Sequence, residues 1–207
     1  MTHHTYIWIN PVTAGLYSPE ALASLLFRRG CTRVHCTGDW GQAVRDKTLR
    51  CAARSRQTPL ADARCPMAAD LVRRHGGPAL APVEPILIHA ARELAGREDL
   101  ADGPKLITTP CAALAELGNS LHLPRTRFVP WTTLLKEWGE PPVPVRLKES
   151  PIPPGFFDNT GLRVKKITGE AQITAYLAAE RRGDEQLVEL LYCPEGCHNG
   201  DGVLCDA

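Results

Sequence analysis

Apolar residues recur along the chain in two rhythms, one suited to strands and one to helices. Residues 5–10 form a run of β-branched and aromatic side chains stopped by Asn10-Pro11, which predicts a short buried strand. Over 18–29, Leu22, Leu25 and Leu26 share one helical face. Ser18 suits the N-cap, Pro19 the first helical position, and Gly30 the C-terminal stop. Residues 31–37 then read as another strand. Strand, helix and strand at this spacing predict a βαβ unit, and with it a parallel sheet covered by helices.

The alternation continues downstream. Residues 57–63 read as a short strand or loop leading to Cys65-Pro66, followed by a helix over 67–75 and another over 85–95. A strand over 105–108 runs toward Cys111, and 111–117 form a helical turn. Trp131 and Trp138, placed around Leu134 and Leu135, predict one helix face packed on a core. The proline-dense stretch 141–154 reads as an extended linker. Beyond it come a strand over 162–167, a helix over 169–182 and a strand over 187–192 that runs directly into Cys193. No tandem repeat is present. The expected fold is α/β, in two small lobes of parallel sheets flanked by helices, covering about 1–140 and 155–207.

Charge narrows the partner classes. Lysine plus arginine number 24 against 23 aspartates plus glutamates, so no strong field recommends nucleic acid, an anionic membrane or an acidic substrate. No apolar run approaches the ~18 residues of a membrane span, and the opening residues lack the charged and apolar parts of a secretory signal. The expectation is a soluble, cytoplasmic protein. Phosphate-binding glycine loops, Ser/His/Asp arrangements and zinc-protease motifs do not occur.

Cysteine changes the picture. Eight cysteines in a chain of 207 residues exceed ordinary use, and a reducing compartment disfavours disulfides, which leaves metal binding as the leading explanation. Cys193-Pro194-Glu195-Gly196-Cys197 offers two thiolates four positions apart, with Gly196 permitting the turn between them. Cys65-Pro66 and Pro110-Cys111 add two more. Cys65, Cys111 and Cys193 each follow a predicted strand, where ligand sites collect in parallel α/β sheets. Four thiolates suit a [4Fe-4S] cubane, one for each iron, but four dispersed cysteines also suit structural zinc. Buried free thiols are the bland reading of the same residues.

The surrounding residues distinguish among these. Ala63-Arg64-Cys65-Pro66-Met67, Thr109-Pro110-Cys111-Ala112-Ala113 and the stretch from Val188 through Cys193 and Cys197 to Gly200 resemble, in order and context, the three cluster-binding loops of the catalytic domain of iron-only ([FeFe]) hydrogenases. Gly30-Cys31-Thr32-Arg33-Val34, Gly161-Leu162-Arg163-Val164 and Glu189 extend the likeness over nearly the whole chain, in shortened form. The resemblance implies a [4Fe-4S] cluster held by Cys65, Cys111, Cys193 and Cys197 in a cleft between two lobes. In that family the last of these cysteines also bridges to a two-iron catalytic unit.

The departures point away from hydrogen turnover. The family carries a proton-relay cysteine where Arg64 stands, and a lysine that holds a cyanide ligand where Leu114 stands. Its glycine-rich last loop closes on glutamine where Val203 stands, and Asp201 interrupts the glycines. Arginine keeps its proton at any working pH, and leucine has no hydrogen to donate. Ferredoxin-type cysteine runs are absent from the sequence. The expectation is a one-electron carrier or cluster-based sensor acting with a redox or signalling partner protein. Two other readings stay open: an enzyme with an additional or open iron site at Cys197, and a zinc-stabilised interaction module.

Cys31 and Cys36 flank an apolar strand and read as core residues, whereas Cys51 and Cys205 stand open between reserve ligand and reactive thiol. His198 reads either as a donor to cluster sulfur or as a solvated loop residue. Glu195 is expected to face solvent, and Arg64 to stabilise a reduced cluster by its charge.

Overall fold

The structure is a computed structural model and describes residues 4–56, 58–143, 145–179 and 183–204. The first half of the chain runs through β1 (Thr5–Trp8), α1 (Pro11–Gly15), α2 (Pro19–Arg28), β2 (Cys31–Arg33), α3 (Trp40–Arg54), β3 (Leu60–Ala61), α4 (Pro66–His75), β4 (Ala79–Leu80) and α5 (Ile86–Gly96). The second half runs through β5 (Lys105–Thr109), α6 (Ala112–Asn119), β6 (Thr126–Pro130), α7 (Trp131–Trp138), β7 (Val164–Thr168), α8 (Glu170–Ala178) and β8 (Leu187–Leu191). Two single 3₁₀ turns lie at Glu98–Leu100 and Cys197–Asn199.

The chain divides into two compact units, each an α/β layer structure. The first comprises Met1–Gly38, Leu87–Ile152 and Cys197–Ala207, and the second Asp39–Ile86 and Pro153–Gly196. These interleaved units do not coincide with consecutive lobes of 1–140 and 155–207. The reason is strand pairing: β3 and β4, from the first half of the sequence, hydrogen-bond in one sheet with β7 and β8 from its end. The proline-dense stretch is no free spacer along its whole length either, because Val143, Leu147 and Ile152 pack on the core of the first unit.

In the first unit the sheet order is β2-β1-β5-β6, with all three pairings parallel. Parallel sheets bury both faces, and here one apolar cluster gathers Leu22, Leu25 and Leu26 of α2 with Trp131 and Leu134 of α7. Another gathers Ile88, Ala91 and Leu94 of α5 with Leu114 and Ala115 of α6 around Ile107 and Phe128. Ser18 caps α2 by accepting the Ala21 N–H at 3.2 Å, with Pro19 at the first helical position.

In the second unit the order is β4-β3-β8-β7, again parallel throughout. All five residues of β8 are buried, including Glu189. Helices α4 and α8 cover one apolar cluster, through Leu71, Val72, Ile173 and Leu177. Val44 and Ala52 of α3 join Phe157 in the other.

Helix α3, with β4 and β6, lies outside the sequence-level expectations. Its buried positions are only Val44, Thr48 and Ala52, a single narrow row spaced by four in an otherwise polar helix. The strand expected over 31–37 pairs only through Cys31–Arg33. Helix α8 ends at Ala178, and the part expected over 180–182 lies outside the described residues.

Candidate iron–sulfur site

The cysteines singled out by sequence emerge from strand ends. In the second unit β3 and β8 are parallel neighbours with Leu60 opposite Leu187 and Ala61 opposite Val188, so the loops after them leave the same edge of the sheet. Cys65 follows β3 and occupies the N-cap of α4, with Pro66 at the first helical position. Cys193 follows β8 after Tyr192. The Tyr192 N–H donates to Cys65 Sγ at 3.5 Å, which sets the sulfur beside the backbone that leads into Cys193. Burial pushes the Cys65 thiol up, opposed by amide donors at Tyr192, Ala68 and Met67. The Tyr192 N–H turned toward this sulfur suits a ligand thiolate, whose negative charge an amide donor stabilises.

The turn beyond Cys193 uses two residues in unusual backbone conformations. Glu195 has φ 59° and Gly196 φ 124°, the second in a region open essentially to glycine. Glu195 faces solvent, as the sequence leads one to expect. Its N–H donates to Thr168 Oγ1 at 3.4 Å, at the end of β7.

In the first unit, β5 ends in Thr108 and Thr109, which fix the loop to Cys111. Thr108 Oγ1 accepts the Asn10 N–H at 2.9 Å and donates to the Trp8 carbonyl at 3.2 Å. Thr109 Oγ1 donates to the Cys111 carbonyl at 2.8 Å, and Cys111 is the N-cap of α6. The glycine-rich loop after Cys197 lies directly on this segment: Gly202 N–H donates to the Pro110 carbonyl at 3.0 Å. A β-carbon on Gly200 would stand 2.3 Å from the Pro110 carbonyl oxygen, and one on Gly202 would stand 2.7 Å from the Cys111 nitrogen. Cys111 and Cys197 are thus drawn together through their backbones. Asp201 has a local task in this contact, because its carboxylate accepts the Ala112 N–H at 3.0 Å at the start of α6.

Each unit therefore joins two of the four cysteines, Cys65 with Cys193 and Cys111 with Cys197. Among the described residues no three His, Cys, Asp or Glu side chains gather into a metal-holding group. The chemistry of the donor set fits a cubane on two counts: soft thiolates from strand-end loops, and the Tyr192 N–H already aimed at the Cys65 sulfur.

Arg64 is committed elsewhere than the sequence suggests. It is buried, with Nε donating to Asp62 Oδ2 at 2.8 Å and Nη2 to Glu189 Oε1 at 2.9 Å. Glu189 also accepts the Gly155 and Phe156 N–H groups at 3.0 and 3.2 Å. The Arg64 charge is paired inside the unit with two carboxylates, Asp62 and Glu189. This network joining Asp62, Arg64 and Glu189 was not foreseen, although Glu189 alone among apolar neighbours in a five-residue strand was a signal for a buried partner.

Of the remaining cysteines, Cys31, Cys36 and Cys51 are half-buried, and Cys205 lies outside the described residues. The Cys36 thiol donates to the Ala90 carbonyl at 3.8 Å and is pushed up to about 11, chiefly by burial, with Glu93 adding to the rise and Arg97 opposing it. A thiol raised this way disfavours its charged form in the fold. Stability should therefore fall as pH rises from the ordinary thiol value of about 8.5 toward the folded value. Peptide mapping after timed alkylation at about pH 9 is expected to show Cys36 reacting at least about tenfold more slowly in native than in urea-unfolded protein. Equal rates would mean that the thiol is open and ordinary.

No helix among the described residues is long and apolar enough to cross a membrane. No protein-family model and no curated protein matches the chain. Solved structures do. An apo [FeFe]-hydrogenase HydA1 variant from Chlamydomonas reinhardtii aligns over 99% of this chain and 80% of its own, with TM-score 0.63 and 13% identity. A second [FeFe]-hydrogenase, from work on oxygen inactivation through damage to the 2Fe subcluster of the H cluster, aligns over 99% and 81%, with TM-score 0.60 and 13% identity. At that identity the likeness speaks of architecture, and the chain has an [FeFe]-hydrogenase-like catalytic-domain fold.

Proposed function

We propose that this chain is an iron–sulfur protein in which Cys65, Cys111, Cys193 and Cys197 hold one [4Fe-4S] cluster. Its role is redox: a one-electron carrier or cluster-based sensor that acts with a partner protein. The observation that carries the reading is the Cys65 sulfur, which receives the Tyr192 N–H at 3.5 Å beside Cys193 on neighbouring strand ends.

The positions that depart from the hydrogenase pattern support a role without hydrogen turnover. Leu114 is buried in the apolar cluster with Ile107 and Phe128, and Val203 in the one with Trp131 and Leu135. A lysine at the first would carry an ammonium into an apolar cluster, at a cost of several kcal/mol. Arg64 is tied into its buried network and keeps its proton, so it serves no relay. The side chains at these three positions hold the fold.

Anaerobically purified protein is expected to contain about four irons and four sulfides per chain, with a reduced-cubane electron paramagnetic resonance signal after dithionite. Single serine replacements of Cys65, Cys111, Cys193 and Cys197 should each reduce the iron content, whereas Cys36→Ser should not. Zinc in place of iron would overturn the redox reading in favour of a structural module. About six irons with carbonyl and cyanide infrared bands would overturn it in favour of an enzyme carrying a further iron unit at Cys197.

A further inference from the structure

Resting on the reading of a cubane at the four cysteines, we infer that His198 donates a hydrogen bond from Nδ1 to a sulfur of that cluster or of its ligands, and thereby raises its reduction potential. His198 is the middle residue of the 3₁₀ turn Cys197–Asn199, immediately after a proposed ligand. Its side chain is buried, with 8% exposure, and Nδ1 is shut off from solvent without a partner among the described residues. A buried polar atom left unsatisfied costs about 1–3 kcal/mol, and most such atoms in folded proteins have a partner.

The backbone carrying the ring is held on its C-terminal side. Gly200 N–H donates to the Cys197 carbonyl at 3.1 Å and Gly202 N–H to the Pro110 carbonyl at 3.0 Å, with no room for a β-carbon at either glycine. The loop is thereby fastened next to both Cys111 and Cys197, and the buried nitrogen of His198 is one residue from the second of them. A sulfide or thiolate sulfur is an electron-rich acceptor suited to an imidazole N–H.

The redox step needs one electron and no proton. A cubane held there would take that electron from an external reductant such as dithionite, with no bond to hydrogen broken. The added charge strengthens the N–H to sulfur bond, so the donor favours the reduced state. Removing it should shift the ratio of reduced to oxidised cluster at fixed potential by about tenfold toward oxidised, or about 59 mV for one electron.

The test is a redox titration of anaerobically purified full chain, followed by electron paramagnetic resonance, for the parent protein, His198→Leu and His198→Asn. His198→Leu is expected to keep four irons and titrate about tenfold lower. His198→Asn, whose amide retains a donor near the same place, is expected to recover most of the shift. Reduced parent protein labelled with 15N-histidine should show a magnetic coupling from one imidazole nitrogen that His198→Leu lacks. An unchanged titration in His198→Leu with its iron intact overturns the inference, and leaves the ring as a space-filler or bonded to a buried water. If His198→Leu loses iron, absence of the nitrogen coupling in the parent overturns it instead. A parent protein without iron fails the cluster reading itself, a different result from either.

Discussion

Replacing Arg64 by leucine is expected to lower the free energy of unfolding by about 3–5 kcal/mol, a large share of the roughly 5–15 kcal/mol that stabilises a typical domain. The cation lies among two buried carboxylates, 2.8 Å from Asp62 and 2.9 Å from Glu189. Its guanidinium carbon sits 3.9 Å from the ring centre of Phe156 and 4.9 Å from that of Phe157. Leucine would fill much of the volume but leave two negative charges in the interior of the unit without their cation. Burial alone pushes the guanidinium's proton affinity down; attraction to Asp62 and Glu189, with their hydrogen bonds, more than offsets that and raises it overall. For a cation with a raised folded value, the stabilisation is present below the unfolded value and lost only as pH climbs through the folded one. Both values for arginine lie above the range in which proteins fold, so titration of Arg64 contributes no pH dependence there. Arg64→Lys should recover part of the loss, since one ammonium lacks the planar fork that reaches both carboxylates. Urea unfolding of the three proteins measures this, and a loss below about 1 kcal/mol for Arg64→Leu would mean that the network is hydrated and weak.

That network also marks where the sequence ceases to be legible. Local chemistry announces the elements next to the site: Ser18 with Pro19 at the start of α2, Cys65 with Pro66 at the start of α4, and the apolar run of β8 leading to Cys193. The parallel βαβ beginning is legible for the same reason, and β1 pairs with β2 as expected. Long-range pairing leaves no comparable trace. Nothing in the residues of β3, only Leu60 and Ala61, states that it will lie between β4 and β8, yet that placement decides which segments make up each unit. Helix α3 escapes because Val44, Thr48 and Ala52 form too thin an apolar row to stand out from its arginines and polar residues. Four candidate ligands can be picked out from spacing and resemblance, but the partners that fix their loops cannot. Asp201, an interruption of the glycines on paper, is a cap for α6 in the structure, and Arg64 beside Cys65 turns inward to Glu189, 125 residues away.

Gly200→Ala and Gly202→Ala are expected to separate the last loop from Cys111 and, with it, to release iron. The β-carbon at 200 would meet the Pro110 carbonyl oxygen at 2.3 Å and the Cys197 carbonyl oxygen at 3.1 Å; that at 202 would meet the Cys111 nitrogen and Pro110 carbonyl carbon at 2.7 Å. All four are backbone atoms, which cannot rotate aside as the tip of a long side chain can. Relief requires the loop to lift, and that breaks the Gly202 N–H to Pro110 bond of 3.0 Å and disturbs the Asp201 cap on Ala112. Overpacking of this kind costs about 1–3 kcal/mol, with the lost cap and hydrogen bond adding about 1 kcal/mol each. A displacement of about 1 Å is a large error for a ligand position, so on the cubane reading iron should fall well below four per chain in both variants even where they remain folded. Gly30→Ala provides the contrast. Gly30 has φ 61° but open space around its missing β-carbon, so alanine there bears only the backbone strain of about 1–2 kcal/mol and should retain its iron. Iron analysis with circular dichroism on the three variants separates the two effects. Full iron in Gly200→Ala and Gly202→Ala would show that the contact between this loop and Pro110-Cys111 is dispensable to the site, while iron loss in Gly30→Ala as well would trace the loss to general destabilisation rather than to the position of Cys111 and Cys197.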